Sequence, residues 1–393
     1  MTPFFRVLRA RPIVLALFCA ACGSADGGGA VVQTLANGAV HVRNPAKGAW
    51  TEKTAWHAVE ELRIGSEDGG GPDMFAEPIG LEVDAAGRMY VLDRQSKEIR
   101  VFGPDGKHLR TVGREGGGPG EFKNPVGLAF DRSGALWVVD PQNARYTVLD
   151  STGRQTATHP RRSMLTVVPW RGRVDAEGGL WDVTMNPETR GTQLMRLRDG
   201  ADDGRRYPLP SIRDEQFELR KDGQIRMAVD VPFSPGLRWS LDREGRLWSG
   251  TGAEYRIARH APGGDTLLLV EKEFEPVPVS VAERDSIPLQ YKWFTDQGGK
   301  MDLSRVPASK PAFSGFVTDD RGWLWVMPTM PANARATTLD VFTPEGRYQG
   351  AVTLPVQLSA YLPLVIRGPH LYTVALNDDE VPQVVRYRLQ GRP

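Results

Sequence analysis

The chain has 393 residues and a nearly balanced charge, with 49 Lys and Arg against 48 Asp and Glu. That balance argues against the basic surface that nucleic-acid binding requires, so no nucleic-acid partner is expected. Charged residues at 25% and hydrophobic residues at 40% are ordinary for a globular protein, and the 43 glycines and 30 prolines sit at spaced positions, where they punctuate short strands.

Residues 1–21 read as a targeting segment. Arg6, Arg9 and Arg11 form a positive region, followed by the apolar run PIVLALFCAA. That run is too short to cross a hydrocarbon core of about 30 Å as a helix. The stretch Cys19-Ala20-Ala21-Cys22 resembles a bacterial lipobox, with Cys19 where that pattern usually carries leucine. The resemblance implies cleavage before Cys22, a lipid on its sulfur, and a membrane partner through that anchor. Residue 23 is Gly, not Asp. By the sorting of such lipoproteins, this implies an exported protein on the outer membrane, facing the periplasm or the surface. The two cysteines are Cys19, inside this segment, and Cys22, the residue expected to carry the lipid, so the body has no free thiol for a disulfide or a cysteine metal site. Residues 22–50 read as a Gly-rich tether and N-terminal extension, and 51–393 as one folded unit.

One pattern then recurs: apolar, Asp, two residues, Gly, one residue, apolar, aromatic. It occurs at Asp84 to Tyr90, Asp131 to Trp137, Asp175 to Trp181, Asp242 to Trp248 and Asp319 to Trp325, with a degenerate copy at Ile366 to Tyr372. Asp favours the start of a tight turn and Gly supplies its positive φ. The aromatic fills the space between stacked sheets. The Asp spacings are 47, 44, 67 and 77 residues. The first two match one propeller blade of about 40–50 residues, and the last two a blade plus an insertion.

Two junctions are copies of one another. Leu109 to Pro119 leads into Pro125-Val126-Gly127-Leu128, and Glu61 to Pro72 leads into Pro78-Ile79-Gly80-Leu81. Residues 57–65 therefore read as an outer strand with no blade before it. The last unit, 364–390, offers three strands. The expected fold is all-β: a six-bladed β-propeller with the N-terminal strand closing the C-terminal blade. The blades fall at 78–124, 125–168, 169–232, 237–278, 313–358, and 364–390 joined to 57–65. A seventh blade hidden around 205–235 is the alternative count.

The segments PIGLEVDAAGRMYVLDRQSKEIRVFGPDGKHLRTVG and PVGLAFDRSGALWVVDPQNARYTVLDSTG resemble NHL-type six-bladed propellers. The whole chain resembles bacterial "6-bladed β-propeller" lipoproteins. That resemblance implies either a binding or sensor module, or a lyase or lactone hydrolase; fold alone does not choose.

Two insertions break the pattern. Residues 279–312 carry a capping box at Ser280 to Glu283 and read as two short helical turns interrupted by Pro288. Tyr291, Trp293 and Phe294 there either cover a ligand or pack on the propeller. Residues 205–236, dense in charge from Ile212 to Arg226, read as a solvated loop.

No catalytic set emerges. None of the six histidines, His41, His57, His108, His159, His260 and His370, lies on an expected innermost strand, so a histidine zinc site is not signalled. The repeated aspartates are explained as turn residues. That leaves Glu82 as the one clear inner carboxylate, too few for the alternative of calcium in the channel. The glycine-rich stretches 65–72 and 113–120 lack the Lys-Ser/Thr of a phosphate loop, and no Gly-x-Ser-x-Gly elbow is present. The expected binding surface is the axial channel, lined by Glu82, Arg171, Arg173, Arg238, Ser240, Ser314 and Arg367. Arginines there suit a small anion or a peptide carboxylate, or else hold the ring by pairing across blades. Trp170 and Trp239 read as inter-blade packing. The sequence reading is thus a non-enzymatic, envelope-anchored module for a small anion, peptide or partner protein. A metal-dependent lyase or lactone hydrolase is the alternative.

Overall fold

The computed structural model describes residues 29–67, 70–210, 215–359 and 361–392. The targeting segment and Cys22 lie outside them. Six four-stranded antiparallel units follow one another around a ring. The first comprises Pro78–Val83, Met89–Asp93, Glu98–Phe102 and His108–Val112. The innermost strands of the others are Gly127–Phe130, Arg173–Val174, Arg238–Leu241, Phe313–Thr318 and Leu364–Arg367. The protein is a six-bladed β-propeller.

The repeat explains each inner hairpin. The Asp131 carboxylate accepts the backbone N–H groups of Ser133 and Ala135 at 2.8 and 3.0 Å through one oxygen. Its other oxygen accepts the indole N–H of Trp137 at 2.9 Å. The same two-way grip recurs at Asp175 with Trp181, Asp242 with Trp248 and Asp319 with Trp325. In the first blade, Tyr90 replaces the indole and reaches Asp84 at 3.4 Å. The turn glycine completes the motif, with φ of +84° at Gly134 and +83° at Gly178. Trp181, Trp248 and Trp325 are fully buried between blades.

The ring closes as the duplicated junction predicts. His57–Ile64 pairs antiparallel with Pro382–Gln390, with Leu62 opposite Arg386 and Arg63 opposite Val385. This leaves no open sheet edge at the seam. Near it, Arg392 is buried, bonds Asp319 at 2.7 Å and lies over Trp56 and Trp325.

Sequence reasoning missed two strands inside 22–50. Val31–Thr34 and Val40–Asn44 form a hairpin whose second strand lies parallel to Thr266–Lys272, widening the fourth blade to six strands. Buried Asn44 stitches this addition to the fifth blade. Its amide donates to Glu271 O and Gly346 O, both at 2.9 Å, and its carbonyl oxygen accepts from Tyr348 N–H at 2.8 Å. From there the chain crosses the fifth blade, where Trp50 N–H bonds Gln349 O at 2.7 Å, and enters the sixth.

Three expectations are corrected. The third blade ends at Ala201–Pro208, not at 232. The stretch read as a solvated loop contains a hairpin, Gln216–Lys221 with Gln224–Asp230, and that hairpin is a separate two-stranded sheet, not a seventh blade. Its charges alternate with Phe217, Leu219, Met227 and Val229, which face the helical insertion. Pro288 does not interrupt the first helix, α1 (Val281–Gln290); the break falls at Tyr291, before α2 (Lys292–Asp296). Proline is tolerated so near the helix end because only one intrahelical bond is lost. The Ser280–Glu283 capping box is present as expected.

The two insertions thus build one cap. Phe217, Val229 and Val231 from the hairpin bury against Ile287, Phe294 and Val306. Arg305 bonds Gln216 O at 3.0 Å, and Arg284 bonds the carbonyls of Val306 and Pro307. Both insertions leave outer strands and return to inner ones. The cap therefore rises on the face where inner strands begin, and the Asp-anchored turns occupy the opposite face.

Replacing Asp131 with Ala removes two turn bonds and orphans the Trp137 indole. We expect a loss of about 2–4 kcal/mol in urea unfolding, whereas Arg132→Ala in the same turn should stay within about 0.5 kcal/mol.

Candidate functional site

The inner strands enclose an axial channel with two widenings. On the cap side, a cavity of about 230 Å³ is walled by Trp170, Trp239, Phe316 and Leu362, with Arg171 and Arg238 on its surface. On the turn side, a cavity of about 390 Å³ reaches Arg132, Arg243 and the carboxylates of the anchoring turns. Glu82, Arg173 and Ser240 border both and form the waist.

Three channel arginines each clasp the next blade. Arg367 donates to Val83 O at 2.5 Å, Arg173 to Leu241 O at 3.3 Å, and Arg238 to Ser314 O at 2.8 Å. These bonds tie blade six to one, three to four and four to five. A carbonyl satisfies one N–H but neutralises no charge, so the positive field stays in the channel. The two sequence readings of these arginines, ring fastening and channel lining, therefore describe the same side chains. Arg171 differs: among the described residues it has no hydrogen bond or ion pair. Burial first, and then the like charge of Arg238, pull it below the ordinary arginine range. It stays protonated in any physiological medium. Tyr361, 65% exposed, stands close enough to interact with both Arg171 and Tyr291 of the cap, which places the cap beside this mouth.

Glu82 is the waist carboxylate. Burial pushes its pKa up from 4.5 to about 7, opposed by the charges of Arg173 and Arg367 and by a backbone bond at Val83. Desolvation outweighs two nearby cations because neither forms a direct ion pair with it.

Of the expected lining residues, Glu82, Arg171, Arg173, Arg238 and Ser240 border the cap-side cavity, and Arg367 borders the turn-side one. Ser314 does not line either. A bulge between Phe313 and Gly315 turns its hydroxyl to Met327 O, at 3.4 Å, and Gly315 and Val317 face the cavity instead. Trp170 packs between blades as expected. It lies against Gly127, where a Cβ would come within 2.5 Å of it, and its indole bonds Asp182 at 2.9 Å.

Sequence reasoning missed Tyr361 and the turn arginines Arg132 and Arg243. The latter carried a usable signal, since each directly follows a repeat aspartate. Among the described residues, no three or more His, Cys, Asp or Glu side chains gather as a metal-binding group. Glu82 faces arginines where a calcium site would need further oxygens.

Residues 78–156 match the family model described as a 6-bladed beta-propeller, the same class that the blades and their closure define. No curated protein matches the chain in sequence. Solved structures resemble it at low identity. A putative exported protein from Bacteroides fragilis is 10% identical, covering 89% of this chain and 99% of its own, with a TM-score of 0.50. A virginiamycin B lyase from Staphylococcus aureus is 13% identical over 84% of this chain and 98% of its own, with a TM-score of 0.44. A gluconolactonase from Xanthomonas campestris is 14% identical over 80% and 86%, with a TM-score of 0.41. What the Bacteroides fragilis structure shares with the chain is the fold.

The raised Glu82 pKa gives a signed prediction. The folded state holds this proton more tightly than the unfolded chain. Its stabilising contribution is full below 4.5, the unfolded value, and is lost as pH rises through about 7. Urea unfolding should show a decline across that window that Glu82→Gln flattens; an unchanged slope in the variant would contradict the assignment.

Proposed function

We propose that this propeller is a non-enzymatic binding module of the cell envelope, exported and held at the outer membrane by a lipid on Cys22. Its cap-side mouth takes the anionic head of a small ligand or the terminal carboxylate of a peptide. The observation that carries this reading is Arg171, half-buried in an aromatic-walled cavity with no partner among the described residues and with Arg238 beside it. A guanidinium fork matches a carboxylate with two parallel bonds, and the low-dielectric wall strengthens them. Trp170, Trp239, Phe316 and Leu362 offer an apolar seat for the body of the ligand. Exposed Leu289 and Trp293 on the cap add apolar surface for a longer chain or a partner protein.

The test is calorimetric titration with a panel of short apolar peptides, each with a free or an amidated C-terminus. Free peptides should bind and their amides should not. Arg171→Ala removes both bonds of the fork and should weaken binding by at least about tenfold to a hundredfold. Equal binding of acid and amide would refute the carboxylate reading.

The anchor is tested separately. Cys22→Ser should move the protein from the membrane fraction to the soluble one, and a variant that stays with the membrane would remove the lipid from the proposal.

A further inference from the structure

The turn-side mouth carries a second concentration of charge that the cap-side reading does not use. A cavity of about 360 Å³ lies there among the anchored turns of the second to fifth blades, lined by Arg132, Arg243, Arg246, Arg259 and Arg321. Its two acidic residues are already engaged. Glu244 pairs with Arg246 at 2.9 Å, and Asp320 accepts the Gly368 N–H at 3.0 Å with Arg392 at 3.5 Å. Arg246 is doubly satisfied, since Asp242 holds its Nε at 2.8 Å.

Three cations remain without a carboxylate among the described residues. Arg132 and Arg243 are exposed, each next to a repeat aspartate that is committed to its own turn. Arg259 is half-buried over the Trp248 ring at 5.3 Å. It donates only to Pro344 O, at 3.2 Å, and its Nε is buried with no partner. It forms no ion pair among the described residues; burial first, and then the like charge of Arg246, disfavour its charged form, against the weaker pull of Asp242, Glu345 and Glu244. Like charges gathered this way repel one another, and a multivalent anion placed between them would relieve that repulsion.

We propose that this cup is a second binding site, at the opposite mouth from the cap, for a small multivalent oxyanion of the diphosphate or polycarboxylate class. The turns that carry Arg132 and Arg243 are rigid, because each is pinned by its aspartate to a tryptophan, the partly buried Trp137 and the buried Trp248. The guanidinium forks are therefore pre-organised and lose little entropy on binding. A monovalent carboxylate leaves most of the surplus charge in place, so the cup selects for valence.

The experiment is calorimetry on the full chain in detergent at low ionic strength, with inorganic pyrophosphate and with citrate in separate titrations. Saturable one-site binding of at least one of them is expected, weakened by added salt, and comparison of the two assigns the phosphoryl or the carboxylate form. The double variant Arg132→Ala, Arg243→Ala should lose at least about tenfold in affinity, and Arg171→Ala should lose nothing. That contrast separates this site from the cap-side one, so either can fail alone. Arg132→Gln, at one exposed turn position, gives a milder readout should the pair disturb the fold. Absence of saturable binding by both anions would overturn the proposal, as would binding lost in Arg171→Ala and kept in the double variant.

Discussion

Five of the six inner hairpins hang on a single carboxylate that faces two ways. One oxygen closes the turn, and the other holds the edge of the aromatic ring on the second strand. The ring is the wedge between neighbouring blades, so fixing it fixes the blade-to-blade distance as well as the turn. A buried indole needs a partner for its N–H, and a turn aspartate needs donors for both oxygens; each meets the other's requirement. The sixth blade departs from this. It uses a short Gly368-Pro369 turn, and the residue at the aspartate's place, Arg367, reaches across to the first blade. The one missing anchor is thus replaced by a clasp between the inner strands of the sixth and first blades.

With blades held at fixed spacing, the channel arginines have little choice of partner. Each sits on an inner strand beside the backbone of its neighbour, and three of them take a carbonyl there. Such bonds fasten the ring without cancelling charge. The lining is accordingly positive for a structural reason, and the functional proposals rest on the arginines this scheme leaves over. The cap owes its place to the same topology. Insertions between an outer strand and the next inner strand can only emerge on the face where inner strands start.

Much of this was legible in the sequence. The Asp-to-aromatic interval of six residues located five of the six inner hairpins, and the duplicated glycine-rich junctions pointed to the closing strand. The channel residues follow as the polar side chains of the expected innermost strands, along which side chains alternate with a period of two. Ser314 failed because a bulge shifts that period by one residue and local sequence does not announce it. The cap hairpin failed because Glu218, Arg220 and Arg226 masked an alternation with Phe217, Leu219 and Met227 whose apolar partners lie some 70 residues on, in α1 and α2. Val40–Asn44 failed for a related reason: its parallel partners are 228 residues away, and a five-residue strand carries little signal of its own. The indole-to-carboxylate bonds follow from the same interval of six, which sets each ring above its own turn as well as between blades.

The N-terminal hairpin has a mechanical consequence. The chain is threaded from the rim of blade four, over blade five, into the seam of blade six, with Asn44 and Trp50 as rivets along the way. Tension applied ahead of Val31 must first peel Val31–Thr34 from Val40–Asn44, then strip Val40–Asn44 from Thr266–Lys272 and free those rivets, before any load reaches the strand that locks the ring. The path works as a strain relief, shielding the closure from a pull on the leading end.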